Sequence, residues 1–200
     1  MTRRESSARG SERSQSIYIR PWRVDIVRRA GVQATLPSAA VARAVGRALD
    51  AARAPEPGSV TVVLTDDEEL ADLNLEHMGH EGPTDVLSFP MLPPASFLRA
   101  EPDDPGPRPH KLPVGQKPRR HIGDIAISLE RAIEQAEEGR GGHTGDVRWS
   151  PADELRLLVT HGTLHLCGWD HAEPDEEAAM RALERRLLEA ETRAASFEPD

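Results

Sequence analysis

The sequence predicts an α+β fold in which a small mixed sheet packs against helices, with a three-histidine metal site on a helix and the turn after it. Two observations predict the layers: short runs rich in β-branched residues alternate along the chain with segments whose apolar residues recur every three to four positions. A third predicts the site, since three histidines lie within HGTLHLCGWDH, from His161 to His171. The 200 residues suffice for one domain with a buried core.

The first half of the chain predicts two strands and two helices. Residues 23–27 are β-like, and Ser38 is placed to start a helix with one apolar face. The continuous β-branched run SVTVVLT (59–65) predicts a buried strand. Thr65, followed three residues later by Glu68, predicts a capping box and therefore a helix that begins directly after this strand.

The middle of the chain predicts two more strands and one helix. The runs DVLSF (85–89) and HIGDIAIS (121–128) are short, apolar and rich in β-branched residues, which is typical of strands. The second run leads into residues 129–138, where two alanines and an isoleucine recur at helical spacing and are expected to face the core. We therefore expect a strand followed at once by a helix.

The C-terminal third predicts two helices. Ser150 is a favourable N-cap, because proline follows it directly and Asp153 occupies the third helical position. Gly168 is well placed to end this helix, since glycine adopts the left-handed conformation that helix ends use. A last helix is expected after Pro174. Its apolar stripe consists of Met180, Leu183 and Leu187.

The domain boundaries follow from composition. Residues 1–16 are rich in arginine and serine and lack aliphatic side chains, so they are expected to form a disordered tail. A single domain is expected over 17–191, followed by a C-terminal tail at 192–200. Within the domain, residues 91–120 lose apolar periodicity and are rich in proline, which predicts an insertion in the form of a long loop.

Composition excludes several classes of protein. No apolar run reaches the ~18–20 residues that a membrane span needs, and the charged N-terminal segment has no apolar stretch typical of a secretory signal. The single cysteine, Cys167, excludes an internal disulfide framework and favours a reducing compartment. We therefore expect a cytoplasmic protein that does not contact membranes.

The charge is unevenly distributed. The net charge is −9, which argues against a protein that simply coats nucleic acid. Residues 1–29 and 99–120 are nevertheless basic. These two segments either contact phosphates or are solvated tails, and the sequence favours the second interpretation for each.

The three histidines have the spacing of metal ligands. His161 and His165 are four residues apart, so on a helix their Cβ atoms lie roughly 6 Å apart on one face. Gly168 would break the helix and allow the chain to bring His171 back as a third ligand. Three neutral imidazoles suit one zinc ion and leave a coordination position open for water, as in catalytic zinc sites.

Two neighbouring residues have alternative roles. Cys167 lies two residues after His165 and would point away from the histidine face, so it is interpreted as a small buried hydrophobe rather than a fourth ligand. Asp170 could accept an imidazole N–H from His171 and so orient that ligand. It could equally cap the turn, and the sequence leaves both roles open.

These residues carry a resemblance to a known family. HGTLHLCGWDH resembles the histidine signature of the YbeY family of bacterial endoribonucleases. GPTDVLSFP (82–90) and IGDIAIS (122–128) are similar to two strands of that family, in the same order. The match spans about 60–188. It departs from the family at Met78, where many members have an arginine, and at His80, where they have another basic residue.

The resemblance implies an activity and its partners. It implies a hydrolase, a metal-dependent endoribonuclease specific for single strands, which acts in ribosomal RNA processing, including small-subunit 3′-end maturation, and in ribosome quality control. It implies that His161, His165 and His171 bind one zinc ion. The implied partners are single-stranded ribosomal RNA, the ribosome or its proteins, and an assembly GTPase. Arginines of the 91–120 insertion could take the place of the missing family arginine.

The chemistry follows from the metal, and no catalytic side chain is identified. Zinc on three histidines lowers the pKa of a bound water to ~7. The resulting hydroxide could attack the phosphodiester, or it could deprotonate a ribose 2′-hydroxyl, and both routes stay open. Ser88 and Asp124 lie in the two family-like strands, where they either line the cleft or make interior hydrogen bonds.

Two other functions compete with the nuclease. The His161–His165 spacing is also that of zinc metallopeptidases, but those enzymes have a glutamate base directly after the first histidine, where this chain has Gly162. The other alternative is a non-catalytic metal-binding ribosome-assembly factor, which Met78 and the acidic net charge favour. In that case the metal would mainly stabilise the fold.

Overall fold

The computed structural model describes residues 12–33, 35–97, 118–139 and 149–195. These residues form the predicted α+β arrangement. The strands are β1 (Arg13–Ile19), β2 (Trp22–Arg28), β3 (Gly58–Thr65), β4 (Val86–Pro90) and β5 (Arg120–Ser128). The helices are α1 (Ser38–Ala51), α2 (Asp67–Met78), α3 (Leu129–Glu138), α4 (Pro151–Leu166) and α5 (Pro174–Ala195). Across these four stretches of chain, none of the helices has the length and apolar character that a membrane span would need.

The strands form one mixed sheet in the order β1-β2-β3-β5-β4. The central pairs β2–β3 and β3–β5 are parallel, whereas the outer pairs β1–β2 and β4–β5 are antiparallel. Most of β3 is buried, as expected for a central parallel strand covered on both faces, which explains its continuous β-branched run. The predicted mixed sheet is confirmed.

Helices cover the two faces of this sheet unequally. Along β5, Ile125 and Ile127 point into the main core, which α1 and α4 complete. Ala126 points to the opposite face, where it forms a smaller cluster with Leu70 of α2 and Leu87 of β4. The helix that carries two of the histidines, α4, therefore lies directly on β4 and β5.

The predicted disordered tail at 1–16 is wrong for its last residues. Arg13–Ile19 forms β1, which pairs along its whole length with β2. Its first half is exposed and polar, so the strand is held by backbone hydrogen bonds and by contacts such as Ser16 Oγ to Asp25 Oδ1 (2.5 Å) rather than by burial. Residues 1–11 lie outside the described part of the chain. The predicted tail at 192–200 also begins too early, because α5 continues to residue 195.

The predicted insertion at 91–120 is likewise too broad at both ends. A short 3-10 helix (Pro94–Ser96) follows β4, and the next residue, Phe97, is 6% exposed within the main core. At the other end, Arg120 already belongs to β5. The segment 98–117 lies outside the described residues and contains two of the arginines expected to replace the family arginine, Arg99 and Arg108. The other two are described: Arg119 donates to the backbone carbonyls of Pro21 and Gly58 at 2.6 and 2.7 Å, and Arg120 begins β5.

The helix caps agree with the sequence except at α2. Ser150 is the N-cap of α4, as predicted, and it forms a capping box with Asp153. In α2, however, the N-cap is Asp66, whose side chain accepts a hydrogen bond from the Glu69 backbone N–H at 3.0 Å. The predicted pair of Thr65 and Glu68 is one residue too early, because Thr65 is still paired with β5 as the last residue of β3.

An ion pair joins the end of β2 to α2 and yields a stability prediction. Arg29 donates from Nε and Nη2 to both carboxylate oxygens of Glu69, at 2.8 and 2.6 Å. The hydrogen bonds from Arg29 hold the pKa of Glu69 below its ordinary value. Because both side chains are partly exposed, we expect Glu69→Gln to lower the free energy of unfolding at pH 7 by about 1 kcal/mol.

The pH dependence of this difference tests its electrostatic origin. A carboxylate with a lowered folded-state pKa stabilises the fold above its unfolded pKa of about 4, and this contribution is lost as the pH falls through the folded value. The free energies of unfolding of wild type and Glu69→Gln, measured with urea, should therefore differ at pH 7 and become equal toward pH 3. An equal difference at both pH values would mean that packing, rather than charge, holds this contact.

Candidate metal centre

The end of α4 reverses the chain and brings the third histidine back to the first two. The helix ends at Leu166, and Gly168 adopts the left-handed conformation with φ of +79°. The backbone N–H of Gly168 donates to His165 O at 3.0 Å, and that of Trp169 donates to Leu164 O at 3.1 Å, which satisfies the last helical carbonyls. The predicted role of Gly168 is confirmed.

The three histidine rings converge. His161 and His165 approach with their Nε2 atoms 3.0 Å apart. The ring centroid of His171 lies 5.0 Å from that of His165 and 5.7 Å from that of His161. One ring nitrogen from each residue can be chosen so that all three lie within 4.8 Å of one another. The structure thus brings together all three side chains that the sequence singled out.

Hydrogen bonds on the far side of two rings determine which nitrogens face the cluster. His161 Nδ1 lies 2.7 Å from Glu184 Oε1, and an ionised carboxylate can only accept, so Nδ1 carries the hydrogen. His165 hydrogen-bonds the backbone of Trp169. Both Nε2 atoms then present lone pairs to each other, an arrangement that a cation between them would make favourable.

Burial keeps His165 uncharged near neutral pH. Removal from water, and then the charges of His161 and His171, lower the pKa of His165 to about 4. A neutral imidazole is the form that binds a metal ion. This residue is therefore ready to act as a ligand without first losing a proton.

The donor set fits one divalent metal. Two nitrogen ligands of a tetrahedral zinc ion at ~2.0–2.1 Å are themselves roughly 3.3 Å apart, close to the 3.0 Å between the two Nε2 atoms. His171 is exposed on the turn, so its ring has room to complete the set. Cys167 is buried, and burial raises the pKa of its thiol to about 12, which fits the predicted hydrophobic role rather than that of a thiolate ligand.

Asp170 contacts the backbone of the turn that follows α4. Its Oδ1 accepts a hydrogen bond from the backbone N–H of His171 at 2.7 Å. Of the two roles that the sequence left open, this contact supports the cap, and it positions the His171 backbone rather than the ring.

Gly162 allows α4 to pack closely on the sheet. Ser88 Oγ donates to Gly162 O at 3.0 Å. A Cβ atom at position 162 would lie 2.9 Å from a methyl group of Ile125 and 3.1 Å from Ser88 Oγ. The glutamate that a zinc metallopeptidase needs at this position would therefore have no space. Asp124 lies on the other face of the sheet, where it bonds His121 Nε2 at 2.8 Å.

Two cavities adjoin the histidines. One, of about 380 Å³, is lined by the three histidines and by residues before and within β4, including Met78, Thr84 and Ser88. The other, of about 310 Å³, lies between α4 and α5 and is lined by His161 and His171 together with Asp85, Glu154, Met180 and Glu184. A chain-like substrate that crosses the histidines would therefore have space on either side of them.

Sequence reasoning missed Glu184. The sequence contained an indication of its role. Glu184 lies four residues after Met180 and three before Leu187, which places an acidic residue on the buried stripe of α5. Of the ungrouped histidines, His77 contacts Phe89 edge-on and His121 pairs with Asp124. His80 is exposed, two residues after α2, and the other two, at positions 110 and 143, lie outside the described residues.

Comparisons with known proteins place the chain among RNA-cleaving enzymes. The family model described as Endoribonuclease YbeY matches residues 29–191. A Thermobifida fusca protein named Endoribonuclease YbeY is 40% identical over 167 residues, covering 82% of this chain and 91% of that protein. A Mycolicibacterium gilvum protein of the same name is 44% identical over 151 residues, covering 74% and 71%. The solution structure of TM1509 from Thermotoga maritima has a TM-score of 0.48 and 21% identity, covering 90% of this chain and 97% of that one.

Proposed function

This chain belongs to the YbeY family of endoribonucleases, and from that premise we propose that it is a zinc-dependent, single-strand-specific endoribonuclease acting in ribosomal RNA processing. The proposal includes maturation of the small-subunit 3′ end and a part in ribosome quality control. As a member of this family the chain is a hydrolase that acts on RNA. The observation that carries the proposed metal dependence is the convergence of His161, His165 and His171.

Residues around the three histidines orient the ring nitrogens and hold α4 next to the cavity where RNA would bind. A single zinc ion held by the three histidines would supply Lewis acidity toward a phosphoryl oxygen and acidify a bound water. His161 and His165 present two lone pairs, fixed from behind by Glu184 and by the Trp169 backbone. The hydrogen bond from Ser88 to Gly162 holds α4 against β4, next to the cavity where one side of the substrate would lie.

The partners are proposed on the basis of charge and of the family resemblance. With a net charge of −9, the chain is poorly suited to bind RNA tightly through nonspecific phosphate contacts. We therefore infer that the ribosome or its proteins, and an assembly GTPase, present single-stranded ribosomal RNA to the site. Such a role corresponds to a cytoplasmic protein.

One observation favours a second function, that of a non-catalytic metal-binding assembly factor. Met78 lines the larger cavity beside the histidines and is 45% exposed, at the position where many family members have an arginine. An uncharged side chain there cannot contribute a positive charge to the transition state of phosphodiester cleavage. This alternative predicts metal binding without RNA cleavage.

Incubation of the zinc-loaded protein with a single-stranded ribosomal RNA fragment, and with the same sequence as a duplex, tests the proposal. We expect internal cleavage of the single strand, and the product ends identify the chemistry. A 2′,3′-cyclic phosphate supports attack by the ribose hydroxyl, and a 5′-phosphate with a free 3′-hydroxyl supports attack by water. Equal cleavage of the duplex would contradict strand specificity, and the absence of cleavage would favour the assembly-factor alternative.

A further inference from the structure

We propose that Glu184 is the positioning residue of His161, so that helix α5 is a functional part of the metal centre. This inference rests on the proposed function, because it concerns the same three-histidine site. It adds a residue from a second helix, remote in sequence from the histidine signature.

The geometry is that of a carboxylate–imidazole pair. Glu184 Oε1 lies 2.7 Å from His161 Nδ1. Glu184 is 5% exposed, and Met180 and Leu183 of the same helix are buried beside it in the main core. Well-packed neighbours on the same helix therefore limit the freedom of the carboxylate.

The chemical consequence is a fixed tautomer. Because the carboxylate accepts the hydrogen of Nδ1, the lone pair of His161 stays on Nε2, the atom that lies 3.0 Å from Nε2 of His165. The same hydrogen bond fixes the rotation of the ring and increases the basicity of the nitrogen that faces the cluster. Without it, either tautomer and several ring orientations would be accessible to His161.

A role confined to the fold does not account for a carboxylate at this position. Burial of an ionised carboxylate is costly unless an opposite charge compensates for it. Among the described residues, the partner of the Glu184 side chain is His161, at 2.7 Å. The surrounding stripe of α5 is apolar, so a leucine or methionine would pack there at lower cost. A cation held at Nε2 of His161 would favour this contact, because the carboxylate would then face a positive charge across the ring.

Metal binding and the docking of α5 are therefore linked. If the contact between Glu184 and His161 strengthens metal binding, the bound metal must equally strengthen the contact that holds α5 to α4. We expect amide hydrogen exchange in α5 to slow when metal is added to the metal-free protein.

The variants Glu184→Gln and Glu184→Ala test the assignment, with Glu177→Gln as a matched control. Glu177 lies on the same helix and lines the same cavity, but it pairs with Arg181 rather than with a histidine. The dissociation constant for Zn²⁺ is measured by competition with a chromophoric chelator, and the melting temperature is measured on metal-free protein. We expect Glu184→Ala to weaken zinc binding by about 10–100-fold. Glu184→Gln, which keeps a neutral acceptor, should weaken it less, and Glu177→Gln should leave it unchanged.

The same measurements separate positioning from support of the fold. We expect metal-free Glu184→Gln to melt close to the wild-type temperature, because glutamine keeps the shape of the side chain and an acceptor for the His161 Nδ1 hydrogen. A lower melting temperature together with unchanged zinc affinity would overturn the assignment, as would wild-type affinity in Glu184→Ala.

The His161 tautomer provides a readout that does not require metal. In the metal-free wild type, nitrogen NMR should show the hydrogen on Nδ1 of His161, and Glu184→Ala should lose this preference. Hydrogen on Nε2 in the wild type would contradict the assignment. If the wild type shows the Nδ1 tautomer but binds no zinc, the contact is real and the proposed metal function fails instead.

Discussion

Removal of the metal is expected to reduce RNA cleavage by about 10³-fold or more, and added zinc is expected to restore it. The reason is the donor set: the three ring nitrogens within 4.8 Å of one another can hold a cation beside a phosphoryl oxygen. A bound metal contributes several kcal/mol to transition-state stabilisation, and each 1.4 kcal/mol corresponds to about a tenfold change in rate.

The measurement is the initial rate of cleavage of a single-stranded RNA before and after dialysis against a chelator, with metal content determined on the same samples. The control is the same chelator saturated with zinc, which should leave the rate unchanged. Thermal unfolding should shift to lower temperature on metal removal, since a ligand that binds only the folded state stabilises it. Full activity in protein shown to be metal-free would contradict the proposed chemistry.

Gly162→Ala is expected to lower both stability and activity, although it adds only one methyl group. The added Cβ would lie 2.9 Å from a methyl group of Ile125 and 3.1 Å from Ser88 Oγ, so α4 must move away from the sheet. Overpacking of this kind costs about 1–3 kcal/mol. Because the neighbouring His161 moves with the helix, and a misplacement of about 1 Å can cost 10²-fold in rate, we expect a comparable loss of cleavage.

The matched control is Gly46→Ala, the same substitution within helix α1. A Cβ atom there would lie 3.5 Å from its nearest neighbours, the side chains of Ile19 and Trp22, which is ordinary van der Waals contact. Alanine in a helix is favoured over glycine by up to about 1 kcal/mol, so this variant should be as stable as wild type or more stable. The measurements are urea unfolding and the cleavage rate for both variants. If Gly162→Ala behaves like Gly46→Ala, close packing at Gly162 does not position the histidines.

Local signals predicted the part of the site that lies close together in sequence. Ser150 begins α4 and Gly168 reverses the chain because caps depend on a few adjacent residues, and the histidine spacing follows from helix geometry. Cys167 was correctly predicted as buried for the same reason, since its position relative to His165 fixes its direction.

Features that depend on distant partners were missed or misplaced. The polar half of β1 forms a strand because β2 offers it a backbone edge, not because its own sequence alternates. Phe97 lies in the core although the surrounding prolines predicted a loop. The Glu184 contact joins residues 23 positions apart on two helices, so its partner could not be identified without the fold.

The sequence predicted β4 and β5 as strands, but it did not decide the roles of Ser88 and Asp124 within them. Ser88 both lines the larger cavity and hydrogen-bonds Gly162, so the two roles that the sequence offered are combined in one residue. Asp124 lies on the opposite face and pairs with His121, which supports its structural role. Alternation along a strand determines which face of the sheet each side chain lies on. The face could be assigned only once the register of β4 and β5 was known.

The most direct test of the central claim is the rate of single-stranded ribosomal RNA cleavage by wild type and by His165→Ala, purified identically and supplied with zinc. His165 contributes the ring nitrogen closest to His161, and its loss removes one of the three donors. We expect wild type to cleave and the variant to be inactive, with circular dichroism showing that both are folded. Equal cleavage by the two proteins would contradict the claim that the three histidines hold the metal that carries the reaction.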